Sequence, residues 1–118
     1  MQRILLKSKI HNARETHANL FYEGSITIDE NLMEKADIVE HEQVQVVNCN
    51  NGARFETYVI KGERGSGMIC LNGPAARLGN VGDTVHILTY AVVSEEEREF
   101  FKPVVLVLSD RNSIVEEK

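Results

Sequence analysis

Apolar residues in this chain come in short runs, rich in Val, Ile, Tyr and Thr, with turn residues between them. Period-two alternation of this kind is the mark of half-buried strands. Strands are predicted at 3–11, 19–23, 25–28, 44–49, 54–60, 68–71, 84–93 and 103–108. In "NCNNGARFETYVI" the pair Asn51-Gly52 suits a tight hairpin turn, because these residues tolerate positive φ. Helix is sparse. "DENLMEKADI" places Leu32, Met33 and Ala36 at helical spacing behind a cap at Asp29 or Asn31. "GPAARLG" allows a single helical turn at most, and "SEEERE" spaces Ser94 and Glu97 as a capping box. The tail "SIVEEK" is expected to fray. Many short strands would leave exposed edges unless the sheet closed, so the pattern predicts a small closed all-β barrel.

One stretch breaks the pattern. In "YEGSITID", Tyr22, Ile26 and Ile28 alternate with Glu23, Thr27 and Asp29, yet Gly24-Ser25 interrupts the run. Taken alone, the pair is a turn or bulge built of small residues.

Composition narrows the class of protein. The 118 residues fit one domain. Thirteen Lys and Arg against 18 Asp and Glu give a net charge of -5, which provides no broad basic face for nucleic acid. No run approaches the roughly 18 apolar residues of a membrane span. "MQRILLKSKIH" lacks the features of a secretory leader, so a cytoplasmic protein is expected. Cys49 and Cys70 have no CxxC spacing and read as buried, reduced thiols without a chemical role.

Familiar catalytic patterns are missing. There is no GxSxG elbow, no HExxH and no calcium loop, so neither a serine triad nor a metal site is expected. "GERGSG" at 62–67 has no following lysine and reads as a turn between strands.

Four separated motifs change the picture: Lys9-Ile10-His11, Tyr22-Glu23-Gly24-Ser25, Asn51-Gly52-x-Arg54 through Thr57-Tyr58, and Gly65-Ser66-Gly67 with Asn72-Gly73. In this order, spread from Ile4 to about Leu108, they resemble the pyruvoyl-dependent aspartate 1-decarboxylase family. The resemblance implies a six-stranded double-psi β-barrel that cuts itself between Gly24 and Ser25. Residues 1–24 would form a small chain and 25–118 a large one. The chemistry is open to inspection: the Ser25 hydroxyl attacks the Gly24 carbonyl, the amide becomes an ester, and elimination with loss of ammonia leaves a pyruvoyl group made from Ser25. Glycine gives the attacked carbonyl freedom and an open approach.

Further roles follow from the same resemblance. Thr57 would donate to the oxyanion formed during cleavage. The pyruvoyl ketone would hold substrate as a Schiff base, and Tyr58 would protonate the carbanion left by decarboxylation. Aspartate has two carboxylates, for which Arg54 and Lys9 would provide positive charge, with Arg54 on the carboxylate that stays. Asn72, Gly73, Pro74 and Ala75 would form a lip over the substrate. Many relatives have alanine where this chain has Pro74, which lacks an N–H donor. His11 and His17 flank the pocket strand and read as structural. Thr57 and Tyr58 fall on opposite strand faces by simple alternation, so either the strand is distorted there or the two residues serve different subunits. The implied assembly is a homotetramer, with Val104, Val105 and Leu106 as spare apolar surface for subunit contacts. The implied reaction turns L-aspartate into β-alanine and carbon dioxide, for pantothenate and coenzyme A. Two other readings stay open at this point: a non-catalytic barrel that binds a small acidic ligand or a protein, and a decarboxylase of the same chemistry acting on another amino acid such as glutamate.

Overall fold

The computed structural model describes residues 1–20 and 24–118. Among these residues nine strands carry the fold: β1 (Gln2–Arg14), β2 (His17–Asn19), β3 (Ser25–Asp29), β4 (Gln43–Asn48), β5 (Arg54–Gly62), β6 (Ile69–Asn72), β7 (Thr84–Ser94), β8 (Val104–Leu108) and β9 (Ile114–Glu117). Among the described residues helix is confined to α1 (Glu30–Lys35), a 3₁₀ helix Gly73–Leu78 and α2 (Glu95–Arg98). The all-β class read from the pattern is therefore what the chain adopts. Of the strand expected at 19–23, residues 21–23 lie outside the described residues, as does Tyr22 of the Gly24-Ser25 motif; β2 ends at Asn19.

Alternation decides which face each strand buries. Ile10, Ile87, Val46 and Phe55 stand in one register row across β1, β7, β4 and β5 and face the core. The adjacent row, Lys9, Leu88, Gln45 and Glu56, faces the other way. Ile10, Val46 and Ile87 are fully buried, each contributing about 1.5–3 kcal/mol of apolar burial. The paired order is β2-β6-β3-β5-β4-β7-β1-β8-β9. Although this order is open, its β2 end and β1 are one stretch of chain, separated only by Glu15-Thr16. Counted as a single bent strand, β1/β2 joins β6, β3, β5, β4 and β7 in a ring order of six, which is compatible with the barrel that the resemblance implies.

Local chemistry explains the connections. Asp29 caps α1 by accepting from Asn31 N at 2.8 Å. The same buried carboxylate accepts from Gly65 N at 3.0 Å and Gly67 N at 2.8 Å, so "GERGSG" is a turn tied to the helix start. Ser94 and Glu97 form the expected capping box on α2. Three expectations need correction. The β4–β5 turn is wider than a two-residue primed turn: of its residues only Gly52 has positive φ, at 76°, and Asn48 Oδ1 holds the bend by accepting from Asn50 N. The 3₁₀ helix spans six residues, longer than the single turn predicted. The tail is paired, with β9 antiparallel to β8, and the Asn112 side chain binds Arg14 O and Gly67 O.

The β1/β2 bend holds an unusual group. Glu15 is fully buried, and among the described residues both its carboxyl oxygens lack a partner. Gly79 has an extended backbone, but a Cβ there would stand 2.5 Å from Glu15 Oε1, so only glycine leaves room for this carboxyl. Burial, aided by the Asp83 carboxylate, pushes the Glu15 pKa up to about 7. The folded state therefore holds this proton more tightly than the unfolded chain. Stability is greatest below the ordinary carboxylate pKa and declines as pH rises to about 7. Glu15→Gln removes the titration, so its Tm relative to the natural chain is expected to rise by roughly 5–10 °C between pH 5 and pH 8. Thermal scans at the two pH values check this.

Candidate active site

Strand β3 begins at Ser25, and its alternation splits two kinds of residue. Ile26 and Ile28 enter the core, while Ser25 and Thr27 share the opposite face. Strand β6 runs antiparallel beside it, pairing Ser25 with Asn72 and Thr27 with Cys70. The result is a small buried polar cluster. Asn72 Nδ2 donates to Ser25 Oγ at 2.8 Å and to Thr27 Oγ1 at 2.9 Å, and Cys70 Sγ lies 3.2 Å from Asn72 Oδ1. Ser25 is 0% exposed and Asn72 4%. Burial foremost, then the Glu15 carboxyl, raises the Cys70 pKa, so this thiol keeps its proton. In such a setting an unmade hydrogen bond is costly, which fixes the geometry of the serine oxygen.

Gly24 and the lip residues adjoin this cluster. A side chain on Gly24 would meet Pro74 Cδ at 3.6 Å, ordinary contact distance. Gly73 follows Asn72 with φ 61°, the left-handed backbone that glycine adopts freely, and starts the 3₁₀ helix. Pro74 is exposed at its first turn, where a missing N–H is tolerated, and Ala75 is buried.

Parallel pairing of β3 with β5 sets Ile26 beside Val59. That pairing begins at Ile26 and Val59, one residue after Ser25 and Tyr58 and two after Gly24 and Thr57. Thr57 pairs with the core residue Val44, whereas Tyr58 pairs with Gln43 on the outer face, and no register shift interrupts β4 and β5. The strand is thus undistorted here, and the two residues do occupy opposite faces. Tyr58 also meets the His41 ring edge-on, with centroids 6.5 Å apart.

Arg54 and Lys9 share the outer face with Tyr58 but do not converge. Arg54 is exposed and donates to Gln45 Oε1 at 2.9 Å. Lys9 stands on β1, with β4 and β7 between it and β5. Three strand spacings along the sheet lie between the two residues within one chain. The same face exposes Ile4, Tyr90 and Val92. Leu106 is fully buried, and Val104 and Val105 are half-buried where β8 pairs with β1, so those residues are not the spare apolar surface expected.

Some residues carry more than the sequence suggested. His86 stacks on His11 with centroids 4.1 Å apart, accepts at Nδ1 from Asn12 N, and lies 3.2 Å from Cys49 Sγ through Nε2. Burial above all, then His11 and Lys9, lowers its pKa to about 4, and burial followed by Lys9 lowers that of His11. Both rings are therefore neutral at pH 7. Cys49, expected to be buried, is exposed in the turn after β4. His17 Nδ1 bonds Thr16 Oγ1 and is exposed. Among the described residues no group of His, Cys, Asp and Glu could hold a metal ion, and no helix is long and apolar enough to cross a membrane.

Comparison with known proteins matches this arrangement to a family over almost its whole length. A family model described as "Aspartate decarboxylase" covers residues 1–115. Curated relatives named "Aspartate 1-decarboxylase" include one from Thermoanaerobacter pseudethanolicus, 59% identical over 98% of this chain and 98% of its own. One from Acetivibrio thermocellus is 62% identical over 94% of this chain and 88% of its own, and one from Halalkalibacterium halodurans is 59% identical over 98% and 91%. By sequence match across its length, and with the four motifs in order, this chain belongs to the aspartate decarboxylase family.

Proposed function

We propose that this chain is a self-processing enzyme that converts L-aspartate to β-alanine and carbon dioxide, using a pyruvoyl group formed from its own Ser25. One observation carries the reading: a fully buried serine directly after Gly24 has its hydroxyl oxygen pinned by Asn72 Nδ2 at 2.8 Å. Any buried hydroxyl needs such a partner; what supports the reading is that this fixed oxygen directly follows a glycine carbonyl within the matched motif.

Cleavage uses groups the chain already holds. Ser25 Oγ bonds to the Gly24 carbonyl carbon, the Gly24–Ser25 C–N bond breaks, and the hydroxyl proton ends on the freed nitrogen. Thr57, on β5 two residues before the Val59–Ile26 pair, supplies a donor for the oxyanion. Loss of the Ser25 Cα proton and of the Gly24 carboxylate from Cβ separates residues 1–24 from 25–118, and water then displaces ammonia. The space fits the product, since a pyruvoyl group has fewer atoms than the buried serine it replaces. Once formed, that group supplies a ketone that takes the substrate amine and withdraws electrons as carbon dioxide leaves.

The remaining residues bind substrate and move a proton. Tyr58, one residue before Val59 on the outer face of β5, donates the proton that replaces the lost carboxylate. Arg54 clamps the carboxylate that is kept and Lys9 adds a second positive charge; Asn72, Gly73, Pro74 and Ala75 form the lip. Pro74 has no N–H to offer, so contacts there fall to its neighbours. Arg54 and Lys9 stand three strands apart along the sheet of one chain, and a site shared between two adjoining copies would bring both to a single aspartate. That separation, with Ile4, Tyr90 and Val92 exposed on the same face, supports a homotetramer of cleaved chains that shares its sites between subunits. The enzyme works in the cytoplasm, where β-alanine feeds pantothenate and coenzyme A. Carbon dioxide release from a panel of amino acids tests the substrate: aspartate is expected to exceed glutamate by at least about 100-fold in kcat/KM, and equal release from glutamate would redirect the assignment.

A further inference from the structure

We propose that Cys70 is a positioning residue for self-cleavage: its S–H, donated to Asn72 Oδ1, decides which end of the Asn72 amide faces Ser25. This rests on the self-processing reading and adds to it.

The polar cluster has a symmetry that something must break. An asparagine amide is nearly isosteric end for end, and the hydroxyls of Ser25 and Thr27 can each donate or accept. Neither hydroxyl selects an orientation. Cys70 does, because a thiol sulfur is a poor acceptor, so its favourable contact is S–H to a carbonyl oxygen. Sγ lies 3.2 Å from Asn72 Oδ1, and Nδ2 at the other end reaches Ser25 Oγ at 2.8 Å and Thr27 Oγ1 at 2.9 Å. Cys70, Asn72 and Ser25 are all buried, so water does not stand in for a lost partner. The burial that raises the thiol pKa also keeps the donor proton on sulfur.

Orientation matters for the attack. With Nδ2 towards Ser25, the serine oxygen accepts, and its own hydrogen stays free to leave as the Oγ–C bond forms and the Gly24–Ser25 C–N bond breaks. With the amide reversed, Ser25 would donate to Oδ1, a very weak base, and its proton would be held in the wrong direction.

Freshly purified natural chain, Cys70→Ala and Cys70→Ser are incubated, and intact-protein mass spectrometry follows the fraction cut over time. Cys70→Ala is expected to cut about tenfold more slowly, and Cys70→Ser, which restores an O–H donor, within about twofold of the natural rate. Simple loss of packing would slow both variants regardless of the donor. Natural-rate cutting in Cys70→Ala, or equal slowing in both variants, overturns the proposal. If Cys70→Ala fails to fold, Cys70→Ser decides alone, since more than tenfold slowing in a folded chain overturns it. A natural chain that never cuts overturns self-processing itself, an outcome distinct from these.

Discussion

Ser25→Ala is expected to leave a single uncut chain with no measurable release of carbon dioxide from aspartate. The substitution removes one oxygen, and in this account that oxygen is both the nucleophile of cleavage and the precursor of the catalytic ketone. The loss should therefore span the whole catalysed reaction, roughly 10⁶-fold or more. The fold should survive. Asn72 Nδ2 keeps Thr27 Oγ1 as an acceptor, and the alanine methyl would sit in a pocket already sized for serine, so the stability cost is about 1 kcal/mol. Circular dichroism and thermal unfolding close to the natural chain, together with absent cleavage, would locate the effect in chemistry. Full activity in this variant would remove Ser25 from the mechanism.

Arg54→Ala should give a different pattern. Cleavage should proceed normally, because Arg54 lies on the outer face of β5 and touches none of Ser25, Asn72 or Cys70. Aspartate turnover should fall by about 100-fold to 1,000-fold in kcat/KM, the scale of a lost charge-assisted pair to a carboxylate. Preference for aspartate over amino acids without a side-chain carboxylate should fall with it. Stability should hardly change, since the residue is exposed and its side-chain partner is Gln45. Arg54→Lys should recover only part of the loss, because a point charge does not reproduce the planar fork. Steady-state kinetics on chains shown to be fully cut make the comparison. Unchanged kcat/KM would place the carboxylate elsewhere, with Lys9 the next residue to replace.

Much of the strand layout was legible because period-two alternation reports burial directly: Val44 and Val46, or Val85 and Ile87, announce their face. Strand β9 was not legible. "IVEE" is short, acidic and mostly exposed, and its pairing to β8 rests on backbone hydrogen bonds that carry no side-chain signal. The width of the Asn51-Gly52 turn was hidden for a related reason, since it is set by the Asn48 side chain three residues earlier. At the site, the motif Gly24-Ser25 and its partner Asn72 were marked by resemblance. The roles of Thr27 and Cys70 depend on which residue lies opposite which across β3 and β6, and register is a tertiary property. In retrospect, "SIT" and "CLN" carry a faint signal, polar residues two apart flanking a core residue. Glu15 left no trace at all, because one carboxylate in "ARETH" looks like any surface charge until β1 bends into β2 around it.

The proposed chemistry requires that Ser25 cease to be a serine, and the mass of the intact protein after incubation reads this out. Two fragments are expected, divided between Gly24 and Ser25, the larger lighter by one ammonia than a serine-ended piece and trapped by a hydrazine reagent. A chain that stays whole, or a large fragment that begins with an ordinary serine amine and resists hydrazine, would refute it.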